Sequence, residues 1–165
     1  MPSNDLLGIE KLKKDLEELK MSSITVGYQG DSGRRRHPNG SGASIAEVAS
    51  YMEFGTNTIP ARPFLRTAVK QHEKAIKTSA KRAIAKMIDK RDNADDAVET
   101  IGNAVVAAVH KTIDTAASWA APLASSTVKA KGSSSPLVDS KEMRSSVSWA
   151  RRGNAGEIIK QGGEV

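Results

Sequence analysis

The chain reads as an α+β fold, a small antiparallel sheet packed against two long helices, with shorter helices at the N-terminus and in the middle. Two observations predict it. Apolar side chains recur at helical spacing from Pro63 to Ile88 and again over residues 94–121, each run far longer than a strand. Ile24-Thr25-Val26-Gly27-Tyr28 and Val147-Ser148-Trp149 instead alternate with small or polar residues, the period of a half-buried strand. A length of 165 residues suits a single domain, placed at residues 1–160.

The first helix is expected from Asp5 to Lys20, capped by Asn4 or Asp5, with Ile9, Leu12, Leu16 and Leu19 as its apolar stripe. After the first strand, residues 29–42 read QGDSGRRRHPNGSG, without one apolar side chain, and are expected to form a mobile basic loop. A short helix follows over roughly Ala43 to Phe54, with Ile45, Val48, Ala49 and Met52 on one side and Gly55 ending it. Residues 56–63 must be extended, because a residue before proline is pushed out of the helical region.

Pro63 suits the first position of the next helix. Leu65, Ala68, His72, Ile76, Ala83 and Met87 give that helix its apolar face, and Lys70, Lys74, Lys77 and Lys81 step along another. Asn93 can cap the second long helix, with Asp95, Asp96 and Glu99 near its positive end and Pro122 terminating it. Its stripe is rich in alanine, so another helix can approach closely. Residues 125–136 read as a Ser/Lys/Gly linker, and Asp139 to Ser145 as a helical turn or two capped by Asp139 or Ser140. Val147 and Trp149 form a strand that Ile158 and Ile159 pair with across a turn, and residues 161–165 are expected to be disordered.

Aromatic residues make up only 4% of the chain, so the core must rest on Ala, Val, Ile and Leu and is thin enough to favour burial against a partner subunit. The absence of cysteine excludes disulfides, thiolate metal sites and cysteine nucleophiles, and fits synthesis in a reducing cytoplasm. No apolar run is long enough for a membrane span or a signal peptide, so no membrane partner is expected. The net charge of +6 is uneven: residues 31–92 carry thirteen basic and six acidic side chains, whereas residues 93–128 carry one and four. A localised excess suits nucleic acid or an acidic protein face; it equally describes a solvated helix face.

Catalytic motifs fail on inspection. Gly30-Asp31-Ser32-Gly33 matches the letters around a trypsin-like nucleophile, but that chemistry needs a buried histidine and aspartate on a double β-barrel, so the match reads as chance. His37, His72 and His110 lie in a loop and two separate helices, without metal-ligand spacing. His110 and Asp114 stand one turn apart, as an ordinary helix pair or a proton relay would. There is no phosphate-binding glycine loop, and few aromatics are available for base stacking. No cofactor is expected. Arg34-Arg35-Arg36 could grip phosphate or an acidic neighbour, or stay solvated.

Two longer stretches carry more information. Ile45-Ala46-Glu47-Val48-Ala49-Ser50-Tyr51-Met52-Glu53-Phe54-Gly55-Thr56 leads into Ile59-Pro60-Ala61-Arg62-Pro63-Phe64-Leu65-Arg66. Further on stand Trp119-Ala120-Ala121-Pro122-Leu123, Ser126-Thr127, and Pro136-Leu137-Val138-Asp139-Ser140 with Met143-Arg144-Ser145-Ser146-Val147. In this order, over residues 45–149, they resemble the tail-completion and neck proteins of tailed bacteriophages, of the minor tail-component and virion-morphogenesis type. Ser140-Lys141 departs from the threonine and glycine usual in that pattern.

The resemblance implies a structural, non-enzymatic virion protein, made in the bacterial host cytoplasm and residing at the head–tail junction. It implies a homo-oligomeric ring, hexameric, that completes the tail, joins it to a head-side connector or stopper and to a tail terminator or tail tube protein, and leaves a channel for genomic DNA. Candidates for partner contact are Arg34, Arg35, Arg36, Glu53, Phe54, Arg62, Phe64, Lys70, Lys74, Lys77 and Lys81. Candidates for subunit packing are Ala104, Ala108, Trp119 and Trp149. The competing readings are a basic nucleic-acid-binding protein and a tail terminator or minor tail protein of the same virion.

Overall fold

The computed structural model describes residues 4–38, 41–89, 92–138, 141–153 and 158–163. Two antiparallel helices dominate it, α4 (Phe64–Ile88) and α5 (Ala94–Asp114), preceded by α1 (Asn4–Met21), β1 (Ser23–Gly27), α2 (Gly30–Arg34) and α3 (Ile45–Phe54). After α5 come a short 3-10 turn (Ala116–Ser118), α6 (Ser125–Lys131), α7 (Glu142–Ser145), β2 (Ser148–Arg152) and β3 (Ile158–Gly162). The α+β expectation holds. The three strands form one antiparallel sheet in the order β1-β2-β3, with Val26 opposite Trp149 and Ala150 opposite Gln161.

Helix starts follow from capping chemistry. Ser44 accepts the Glu47 amide while its own amide donates to the Glu47 carboxylate, and Asn93 and Asp96 repeat that exchange at the start of α5. The main core gathers Ile45, Ala49, Phe64, Ala68, Val98, Val106, Val109, Ile113, Val147 and Trp149, where α3, α4, α5 and β2 meet. A second cluster joins Ala83 and Met87 of α4 to Ala94 and Ala97 of α5, under Leu12 and Leu19 of α1. Both clusters rely on small aliphatic side chains.

Glycine makes the helix–sheet contact possible. Trp149 lies so close to α5 that a Cβ on Gly102 would stand 2.5 Å from its indole, and one on Gly162 of β3 would stand 2.8 Å from it. The indole N–H donates to Asn103 Oδ1 at 2.7 Å, so the buried ring is also satisfied.

Several expectations require correction. The stretch over residues 29–42 is not an unanchored loop: α2 occupies its start, Gly33 packs against the Tyr28 backbone, and Arg36 bridges to Ser44. The linker over residues 125–136 begins as α6, closed by Gly132 in the left-handed conformation, and Pro136 and Leu137 are buried. α5 ends at Asp114, eight residues before Pro122, and yields to the 3-10 turn. Pro63 is the residue before α4 and not its first. Gln161 and Gly162, expected in a disordered tail, belong to β3. The α1 stripe splits, since Leu12 and Leu19 pack on the body while Ile9 and Leu16 are exposed. The caps proposed at Asp139 and Ser140 lie outside the described residues.

Candidate assembly surface

The α3–α4 junction is built from the inside outward. Gly55 ends α3 at a φ of 77°, and a Cβ there would lie 2.9 Å from the Ile59 carbonyl oxygen, so only glycine fits. Thr56 closes the corner, its hydroxyl accepting from the Thr58 and Ile59 amides. Helix α4 then starts without a capping side chain of its own, because Pro63 has none to offer. Glu53, buried in the last turn of α3, supplies it. Its carboxylate accepts the Leu65 amide at 2.9 Å and the Arg66 amide at 3.4 Å, and pairs with Arg66 Nε at 2.9 Å. A carboxylate at that positive helix end satisfies amides that would otherwise go unpaired.

Arg62 fastens the same corner to the other motif stretch. It is buried, and its guanidinium donates to the carbonyl oxygens of Ala121 at 2.7 Å and Pro122 at 2.9 Å. Its own amide donates to the Met52 carbonyl. Trp119, just before those carbonyls, donates its indole N–H to Thr112 at 3.0 Å. Glu53, Arg62 and Phe64, read from the sequence as partner-facing, are thus spent inside the chain. Phe64 is fully buried and meets Tyr28 edge to face. Burial and the neighbouring Glu53 carboxylate push the Tyr28 hydroxyl well above its ordinary pKa.

What the junction leaves outside is Phe54, 69% exposed, with the Arg66 guanidinium stacked 5.4 Å from its ring centroid. Tyr51, one turn earlier on α3, and Val69, one turn beyond Arg66 on α4, are also exposed. From there Lys70, Lys74, Lys77 and Lys81, all exposed, run down the outer face of α4, with Lys77 paired to Glu73. Ala104 and Ala108 face α4 and line a shallow groove of about 270 Å³ with His72, Ile76 and Lys111. Trp149, offered as a subunit-packing residue, is buried in its own chain.

The arginine run separates into different roles. Arg35 reaches the Ser146 hydroxyl and Glu142, Arg36 donates to the Gly42 carbonyl, and Arg34 is exposed on α2. Sequence reasoning missed Arg151. It is 1% exposed, yet ties β2 to α1 and α5 through Ser22, Glu18 and Asp95. Its parity with Val147 and Trp149 was the available signal. His110 is half-buried beside the bidentate Arg144–Asp114 pair, and burial, then the Arg144 charge, lower its pKa. Among the described residues no group of three or more acidic or histidine side chains could hold a metal, and no helix is long and apolar enough to cross a membrane.

In comparisons with known proteins, no family model matches the chain, and neither a curated protein nor a solved structure is significantly similar to it.

Proposed function

We propose that this chain is a structural subunit of a tailed-phage neck, forming a ring that completes the tail and joins it to the head connector around the DNA channel. One observation carries the reading beyond the resemblance of letters. Arg62, in the first of the two stretches that resemble neck proteins, lies about sixty residues from Ala121 and Pro122 in the second, yet donates to the backbone carbonyls of both. Each stretch therefore has a physical task in one rigid corner: Glu53 starts a helix, Gly55 makes the turn and Arg62 locks it. Rigid placement of a surface suits a subunit that must meet identical neighbours and two different partners. The role in this reading is mechanical.

The test is genetic. Deleting the gene from the phage genome that encodes it should leave filled heads and separate tails, and supplying the chain in trans should restore joined particles. Normal yields of joined particles without the gene would falsify the neck reading. The exposed lysine column favours a second reading, a basic nucleic-acid-binding protein, which a DNA titration separates.

A further inference from the structure

We propose that the groove between α4 and α5 seats an acidic amphipathic helix of a second protein, packed as the third helix of a bundle. The inference goes beyond the neck reading, which names partners without giving them a seat, and the surface that carries it stands without that reading.

The lining residues set the shape of the occupant. His72, Ile76 and Ser79 recur along α4 at helical steps, and Ala104, Ala108 and Lys111 recur along α5 in the same way. Two antiparallel helices thus each turn a stripe toward one shared groove of about 270 Å³, the pattern of a helix bundle one member short. Each stripe runs for about 10 Å, two turns of helix. The floor between them is low, with Ala75 and Ala107 exposed and Ala104 and Ile76 half-buried. Side chains this short let a third axis approach to about 8–10 Å and leave room for leucine or isoleucine knobs on the incoming helix. An extended segment, with its period of two, cannot follow stripes that repeat every three or four residues.

Charge selects which helix. Lys111 lines the groove, and the same surface continues past His72 and Ser79 to Lys74 and Arg82. No carboxylate lines either part. Helix α4 carries seven basic side chains and one acidic one, Glu73, which is already paired with Lys77. A helix with a leucine seam and carboxylates on both flanks matches the apolar floor and the cationic rim together. A DNA duplex is far wider than the gap between two packed helices, so it reaches the rim and leaves the floor empty. A second copy offers no such helix through α4, which is basic, nor through the acidic start of α5, which packs on its own chain at Ala94 and Ala97.

Synthetic three-heptad peptides test the seat. One carries leucine at the a and d positions with glutamate at e and g; the second has lysine in place of the glutamates; the third is a scramble of the first. By fluorescence anisotropy with the full chain, the glutamate peptide should bind about tenfold or more tighter than either control, and less tightly as salt rises. The Ala104, Ala107 and Ala108 methyl resonances should shift as it binds. Ala107→Trp fills the groove without altering charge, and Lys111→Glu alters charge without filling the groove. Each should weaken binding by about tenfold, with melting unchanged because both residues are exposed. Absence of binding up to millimolar peptide, a scramble that binds as well as the ordered peptide, or either variant binding like wild type would overturn the proposal. Self-association in sedimentation velocity that Ala107→Trp abolishes would overturn it by assigning the groove to a second copy. Duplex DNA binding that Ala107→Trp weakens would overturn it by assigning the groove to nucleic acid. None of these readouts involves particle joining, so this proposal and the neck reading fail separately.

Discussion

Glu53 shows how one side chain can hold a corner that no sequence pattern assigns to it. As a letter it sits in the last turn of α3 and looks available to a partner; in the fold its carboxylate caps a different helix. Replacing it by glutamine keeps the shape and removes the charge that the α4 amides and Arg66 share. The expected loss is about 1–3 kcal/mol, read from urea unfolding. Glu53→Ala should cost at least as much, and a wild-type midpoint for both would mean that water caps α4 as well as the carboxylate does. Gly102 gives the complementary case. Gly102→Ala adds a methyl where only the Trp149 ring lies, so α5 and β2 must move apart. Destabilisation of about 1–3 kcal/mol with an altered near-ultraviolet signal from the indole is expected. Ordinarily alanine favours a helix interior over glycine by about 1 kcal/mol, so even an unchanged stability would run against propensity and a gain would remove the contact argument.

At the scale of elements, the strongly periodic parts were legible and the locally stabilised parts were not. The helices α3, α4 and α5, the strand containing Trp149 and the Asn93 cap follow from spacing and capping residues that act within one turn. Helix α2 did not, because residues 29–42 hold no apolar side chain; Gly33 fits there by having no side chain at all, against the Tyr28 backbone. The start of β3 at Ile158 was legible as a partner of the Trp149 strand, but its continuation to Gly162 was hidden, because that glycine lies against the Trp149 ring by having no side chain. At the candidate surface, Phe54 and the lysine column kept the exposed positions their spacing implied, whereas the burial of Glu53 and Arg62 depends on partners twelve to sixty residues away. Where α5 meets α7, His110 makes a testable element. Burial and Arg144 hold its pKa below the ordinary 6.5, so the folded chain resists a proton that the unfolded chain accepts. Stability contributed by the neutral ring is therefore complete above about pH 6.5 and declines as pH falls toward the lower folded value. Urea midpoints taken across that window should drop for wild type and drop less for His110→Gln. Parallel curves for the two proteins would show that other groups set the acid limb.

For the whole molecule the governing feature is the separation of charge, with an excess of seven positive charges over residues 31–92 against a deficit of three over residues 93–128. The fold places four of the lysines, Lys70, Lys74, Lys77 and Lys81, on the outer face of α4, where they meet solvent and any partner first. Such a face attracts any polyanion, so affinity for DNA alone decides nothing; its salt dependence does. Each phosphate contact lowers the logarithm of affinity by about 0.9 per decade of salt, and four contacts give a slope of roughly 3.6. If the face serves protein neighbours, duplex binding should be weak near physiological salt, and reversing all four lysines to glutamate should remove both that binding and head–tail joining. If instead the chain is a nucleic-acid-binding protein, affinity stays high at physiological salt and the quadruple variant still supports joining. Fluorescence anisotropy with a labelled duplex at two salt concentrations, beside particle counts by electron microscopy, distinguishes these outcomes. The apolar rim formed by Phe54 and Val69 favours the first, because phosphate backbones have no use for it. Tight, salt-resistant binding together with normal joining by the variant would overturn the assignment of the α4 face to protein partners.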